Sequence, residues 1–327
     1  MGSKNKPTSK YSKIRVGLTI GDPSGIGPAI AVKAIARLKG RARFVLIGDK
    51  RVILKAGGAA LRPQDADIVD LANVNFKDFA FGKVKAEYGK ASIEYLDKAM
   101  ELANEGSIDC IVTCPISKEA INLAGYRYSG HTEYFAKKTG TKEFVMLLLN
   151  DELVFSLLTR HMPIRDVSSR ITRPEVARNI TLTMSALSEF FLISRPRVVV
   201  CGLNPHASDN GLLGKEENAV IKPAVKYLKN KGFLVDGPVS ADVAIYLAKE
   251  KKYDCAIAMY HDQALIPLKL TGIDTGVNLT YGLPFVRTSP LHGTAFDIAK
   301  RPGLCDPRSL IAAVRLAIKC TSNLKKD

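Results

Sequence analysis

The sequence predicts an α/β protein with mainly parallel sheets and flanking helices. Three observations carry this. Apolar runs of strand length alternate with segments of helical period along the chain, as in successive βα units. Three of those runs end alike, as strand, short turn and histidine, at His161, His206 and His261. The 327 residues suffice for one large or two moderate domains with a sizeable core.

In order, Ile14 to Ile20 reads as the first strand. The turn GDPSGIGP at 21–28 follows, and Pro28 fits the first turn of a helix. Such a turn can offer backbone N–H groups to an anion, but it is neither GxGxxG nor a P-loop. A plain strand-to-helix turn explains it equally well. Phe44 to Ile47 is a second strand, with Asp49 as a helix cap or a ribose ligand, the cap being the better reading. Residues 61–85 are irregular. Ile93, Leu96, Ala99, Met100 and Ala103 recur at helical spacing, and that helix stops at Gly106. IDCIVTC is a strand running into a Pro-Ile-Ser-Lys turn with Lys118 at a helix start. In YRYSGHTEYFAKKTG, Thr132 is expected to cap a helix and His131 to aim at the cleft, a pair suited to phosphate.

Leu153 to Leu158 is a strand ending near His161, followed by a Pro-Ile-Arg-Asp turn and a helix from about Arg173 to Phe190. Val198 to Leu203 leads to His206, a glycine-rich loop and a helix. VDGPVSAD is read as a turn, with Asp242 near the next helix start as a cap or as an acid near a metal. Cys255 to Met259 is a buried strand, and His261 and Asp262 stand at its end. Lys269, Asn278 and Arg287 then fall among glycine, proline and turn residues. A loop, a Pro-Gly break and a final helix close the chain.

Ligands of open parallel sheets bind beyond the carboxyl ends of the strands. Imidazole, carboxylate and cations delivered there compose a site for a metal and an anionic substrate. Only two other histidines exist, His131 and His292, both in polar glycine-flanked stretches. Three neutral imidazoles at strand ends suit a catalytic divalent metal with an open position. Their wide separation argues against a compact structural zinc module. The competing reading is three unrelated loop histidines.

The net charge of +16 raises nucleic acid as a partner. The basic residues are spread along the chain, with a local excess only in the first fifteen, and there is no tryptophan or zinc-finger pattern. Attraction for anionic substrates is the better reading, with no nucleic acid and no membrane partner. No apolar segment reaches the length of a membrane span. The first thirteen residues read as a disordered basic tail without a secretory h-region. The six cysteines form no CxxC pair, which fits reduced thiols in the cytoplasm.

GDPSGIGP at 21–28, SGHTE at 129–133, TRHMPIRDV at 159–167, GLNPHASDNGLLGKEE at 202–217, YHDQALIPLK at 260–269 and GVNLTYGLPFVRTSPLHGTAFDIA at 276–299 occur in this order. Together they resemble the 4-hydroxythreonine-4-phosphate dehydrogenase family over nearly the whole chain. The resemblance implies a two-domain isocitrate/isopropylmalate dehydrogenase-like fold, with residues 14–128 plus 300–327 in one domain and 129–299 in the other. It implies a homodimer with the active site in the cleft and at the dimer interface. The family's metal motifs fall on His161, His206 and His261, for one divalent ion (Zn, Mg or Co), with His261 the ligand supplied across the interface. Substrate-binding positions fall on His131, Thr132, Lys269, Asn278 and Arg287. His292, Gly293, Thr294 and Asp297 match the loop that meets NAD or NADP. Lys269 or Asp242 would relay a proton.

The implied activity is oxidation of a phosphorylated 3-hydroxy acid, 4-phosphooxy-L-threonine. Decarboxylation to 3-amino-2-oxopropyl phosphate follows, in pyridoxal 5′-phosphate biosynthesis. Relatives apply the same chemistry to D-threonate or D-erythronate 4-phosphate or to carboxylated cis-dihydrodiols. A non-catalytic phosphometabolite-binding protein on this fold is the remaining alternative. Ala29, Leu291 and the segment Ala299-Lys300-Arg301-Pro302-Gly303 depart from the family pattern near the cleft turn and the cofactor loop. They bear on cofactor preference and on the branch. The TRHMP form of the first histidine motif is similar to the sugar-acid branch.

Overall fold

The computed structural model describes residues 13–326. The tail expected over residues 1–13 therefore lies, but for Lys13, outside the described residues. Among these, eleven strands join one sheet. In chain order they are β1 Arg15–Thr19, β2 Arg43–Gly48, β3 Asp67–Asp70, β4 Cys110–Thr113, β5 Val145–Leu149, β6 Val154–Leu157, β7 Val198–Cys201, β8 Val235–Val239, β9 Cys255–Ala258, β10 Val277–Tyr281 and β11 Val286–Pro290. Their spatial order is β3-β2-β1-β4-β11-β10-β5-β6-β9-β7-β8. Pairing is parallel on both flanks and antiparallel only between β11 and β10, β10 and β5, and β5 and β6.

The parallel strands β4, β7 and β9 are buried at every residue. Helices cover both faces of such strands, so their sequences are continuous apolar runs. The first turn is built by close approach. Gly21 has a φ of +69°, and a Cβ there would lie 2.3 Å from the Pro115 carbonyl oxygen. A Cβ on Gly27 would lie 2.1 Å from the Ile20 carbonyl oxygen. Pro28 then enters the helix Gly27–Arg37 in its first turn, as expected. Asp49 caps its helix by accepting from the Arg51 N–H.

Several local readings change. VDGPV, read as a turn, is β8, an edge strand where proline removes no ladder bond. DIVD, inside the stretch read as irregular, is the opposite edge strand, β3. The Pro-Ile-Arg-Asp turn opens a short helix, Ile164–Arg170. The segment read as loop around Asn278 and Arg287 is the hairpin β10–β11 at the middle of the sheet. Lys269 lies on a helix, His261–Gly272, that begins at His261 itself. Thr132 does not cap the helix His131–Lys138. Gly130 takes that position, and the buried Thr132 hydroxyl pairs with Thr280 Oγ1 at 3.2 Å. No helix among the described residues is long and apolar enough to cross a membrane.

Candidate active site

A cavity of about 310 Å³ opens where β4, β11, β10, β5 and β6 end or present one face. Strand alternation selects its lining. Met146, Leu148, Asn278, Arg287 and Ser289 face it, while their neighbours Leu149 and Val277 do not. Lys118 and His131 sit at the first positions of the helices Lys118–Leu123 and His131–Lys138. Arg160 and His161 lie just past β6, and His261 just past β9.

Arg287 is the largest fully buried side chain, at 1% exposure. Its Nη2 donates to Thr113 Oγ1 at 2.6 Å and its Nη1 to Thr132 Oγ1 at 3.4 Å. Among the described residues no carboxylate meets it in an ion pair, and burial pulls its pKa well below the ordinary guanidinium range, to about 9. His131 is held neutral by burial and then by Arg287. Burial also lowers the pKa of His161, helped by Lys118 and His261. Arg160 is likewise lowered by burial, against the pull of Glu133, whose carboxylate lies 3.5 Å away.

Four polar atoms here are enclosed and have no partner among the described residues. They are His131 Nε2, Asn278 Oδ1, Arg287 Nε and His292 Nε2. Buried polar groups in folded proteins are nearly all satisfied, so four gathered around one cavity mark the place of a polar ligand.

The histidines divide. His161 and His261 face each other with ring centroids 5.7 Å apart. His261 Nδ1 lies 2.6 Å from Asp262 Oδ1, which fixes the ring. His206 does not line the cavity. It is exposed and opens a run of left-handed residues, His206 to Asn210. Among the described residues no three His, Cys, Asp or Glu side chains gather as a metal-ligand set. Asp242 and Lys269 are also exposed and outside the cavity. The Asp242 pKa is lowered by the Ser240 hydroxyl and, more weakly, by His206, so these residues are neighbours.

His292 and Gly293 line the cavity rim. Thr294 is held from behind, its carbonyl accepting from the Ile26 N–H at 2.9 Å. Asp297 is exposed and outside the cavity. Sequence reasoning missed Arg160 and Glu133. The only signal for Arg160 was its place beside His161 after a strand.

The profile of the family described as pyridoxal phosphate biosynthetic protein PdxA matches residues 28–317. A 4-hydroxythreonine-4-phosphate dehydrogenase of Sulfurihydrogenibium sp. is 41% identical, covering 93% of this chain and 98% of that one. A D-threonate 4-phosphate dehydrogenase of Cupriavidus necator is 40% identical over 92% of this chain and 95% of its own. The crystal structure of a 4-hydroxythreonine-4-phosphate dehydrogenase from Klebsiella pneumoniae superposes with a TM-score of 0.84 at 35% identity, covering 96% and 99% of the two chains. A beta-decarboxylating dehydrogenase of Thermococcus kodakarensis, at 17% identity and a TM-score of 0.50, shares the fold alone. With relatives matched from end to end and dehydrogenases throughout, the chain belongs to the pyridoxal phosphate biosynthetic protein PdxA family and is a nicotinamide-dependent dehydrogenase.

Proposed function

We propose that the protein oxidises a phosphorylated four-carbon 3-hydroxy acid with NAD or NADP, and that the β-keto acid formed then loses CO2. The first reading of the substrate is 4-phosphooxy-L-threonine, giving 3-amino-2-oxopropyl phosphate for pyridoxal 5′-phosphate biosynthesis. The four enclosed, partnerless polar atoms around one cationic cavity carry this reading.

In this reading His131 and Thr132 hold the phosphate, and Arg287 behind them supplies a charge that an anion relieves. Asn278 Oδ1 accepts a substrate hydroxyl. Lys118 and Arg160 face the carboxylate. The loop His292, Gly293, Thr294 and Asp297 would hold the nicotinamide cofactor, which would supply the hydride acceptor. The donor set fits a divalent ion (Zn, Mg or Co), because His161 is kept neutral by burial and His261 is oriented by Asp262. Bound there, such an ion would supply Lewis acidity, lowering the pKa of the substrate hydroxyl and stabilising developing negative charge.

One chain supplies two imidazoles, and a second copy supplies the third. Val243, Tyr246, Ile266, Leu270 and Ile273 are exposed on the helices that carry Asp242 and Lys269 or just beyond, Leu270 at 82%. Such a face suits a homodimer interface. His206, Asp242 and Lys269 lie outside their own cavity, so we assign them to the cavity of the partner, with Lys269 or Asp242 as proton carrier. The ligand crossing the interface is then His206 rather than His261, which shares a cavity with His161 of its own chain. We retain the division into residues 14–128 plus 300–327 and 129–299, supported by the final helix packing back on β4, β11 and the first helix. Six free, buried cysteines support a cytoplasmic setting.

One observation favours D-threonate or D-erythronate 4-phosphate instead. Glu133 is the one acid lining this chain's cavity, and Arg160 engages it. An ammonium substituent finds no unpaired carboxylate among the described residues that line this cavity, whereas Lys118, Arg160 and Arg287 suit two anionic groups. The test is absorbance of reduced nicotinamide with each substrate, with and without chelator. Chelator-sensitive signal with the amino substrate supports the first reading, and signal only with a sugar-acid phosphate supports the second. Silence with both overturns the four-carbon assignment.

A further inference from the structure

A second cavity, of about 520 Å³, lies on the reverse face of the same central strands. Leu149 of β5 and Val277 of β10 line it, while the alternate residues Leu148 and Asn278 face the active-site cavity. Its other wall is one face of the C-terminal helix Arg308–Leu324. Arg308, Ile311, Ala312, Arg315, Leu316 and Lys319 all line it, at the three- and four-residue spacing of a single helix side. Arg37, from the end of the first helix, completes it.

The charges there are unbalanced. Arg308 is committed to Asp274 and Asp306. Arg37, Arg315 and Lys319 have no ion-pair partner among the described residues, and Asp151 is the one acid in the wall. Arg37 also feels Asp306, and the Lys319 ammonium stands 5.5 Å from the Phe191 ring. Leu149, Val277, Ile311 and Leu316 give the cavity an apolar floor. Its volume is in the range of small-molecule sites. Guanidinium groups grip phosphate in a bidentate manner and stack on planar rings. The catalytic reading uses none of these residues.

We propose that this reverse-face cavity binds a nucleoside phosphate, with the phosphate at Arg37, Arg315 and Lys319 and the ring on the aliphatic floor. AMP is the probe, titrated calorimetrically into the full-length protein at low salt, with inorganic phosphate as a competitor lacking the ring. The expected result is a saturable class of AMP sites in the wild type. Arg315→Glu with Lys319→Glu weakens that class by about tenfold or more, as for loss of two charge-assisted contacts. Both side chains are exposed, so dehydrogenase turnover stays at the wild-type level and reports an intact fold. Should the reversal disturb folding, Arg315→Gln with Lys319→Gln gives the same loss of AMP binding without like-charge repulsion from Asp151. Equal AMP affinity in wild type and variants would place the nucleotide elsewhere and overturn the proposal. So would the absence of saturable AMP binding to the wild type, or inorganic phosphate binding as tightly as AMP.

Discussion

Replacing Arg287 with methionine is expected to stabilise the ligand-free protein while abolishing turnover. The guanidinium is fully buried with two threonine hydroxyls as hydrogen-bond partners and no ion-paired carboxylate. Burial lowers its pKa from the ordinary guanidinium range to about 9. The unfolded chain therefore holds this proton more tightly than the fold does. The cost is full below pH about 9 and is relieved as pH rises from there towards the ordinary guanidinium range. At about 1.4 kcal/mol per tenfold, holding the group charged near neutral pH costs roughly 5 kcal/mol. Methionine removes the charge and fills much of the same space, but forfeits two hydrogen bonds of about 1 kcal/mol each and leaves their hydroxyls poorly satisfied. A net gain of about 2 kcal/mol remains. At roughly 2 cal/mol/K per residue of unfolding entropy this is a rise of about 3 °C in Tm. Calorimetry at pH 7.5 measures it with and without inorganic phosphate. Phosphate is expected to raise the wild-type Tm and to leave the variant unmoved, because the anion relieves a charge the variant lacks. A ligand-free variant that melts below the wild type, or equal stabilisation of both by phosphate, would refute the reasoning.

Other outcomes follow from the same geometry. Asp22 is fully buried, with Oδ2 lacking a partner among the described residues, and burial raises its pKa from 3.8 to about 7. Stability held below pH 3.8 is lost as pH rises through 7, so Asp22→Asn should gain about 2–3 kcal/mol more at pH 8 than at pH 5, read by denaturant melts; equal gains at both would contradict it. A Cβ on Gly25 would meet the Thr294 carbonyl oxygen at 3.0 Å. Gly25→Ala should therefore raise the nicotinamide KM by about threefold or more with less change in kcat, and unchanged steady-state constants would detach this loop from the cofactor. His206→Ala should lose turnover at an unchanged Tm, and near-normal turnover would remove His206 from the metal site. If His206 serves its partner's cavity, mixing inactive His206→Ala with inactive Arg287→Met protomers regains about a quarter of wild-type activity, from one intact site in each mixed dimer; no regain would put both residues in the same site.

The legible parts of the fold are those whose environment is uniform. β4, β7 and β9 are covered on both faces and show it as unbroken apolar runs. The edges hid themselves: β8 carries Gly237 and Pro238, which an edge tolerates and a central strand would not, and β3 is only two aliphatics flanked by acids. The β10–β11 hairpin is central, yet it reads as loop because Asn278, Thr280, Arg287 and Ser289 interrupt its apolar residues. Asn278, Arg287 and Ser289 line the candidate-site cavity, so the polar residues gathered around that cavity are the ones that break the strand signal.

The candidate site was legible for a related reason. Five histidines in 327 residues are few, and three of them followed apolar runs, so their positions stood out against the pattern. Arg160 was hidden because one more arginine among 48 basic residues carries no contrast; only its burial beside Glu133 distinguishes it. Motif order implied which residues belong together and named His261 as the ligand from the second copy, whereas in this chain His261 stands against His161. His161 and His261 meet because β6 and β9 are parallel neighbours whose ends coincide. His206 follows β7, which pairs with the far side of β9, and its left-handed run carries it to the surface near Asp242. Strand order in the sheet therefore decides which two imidazoles one chain can bring together, and it leaves the third facing outward, where a second copy of the chain can use it.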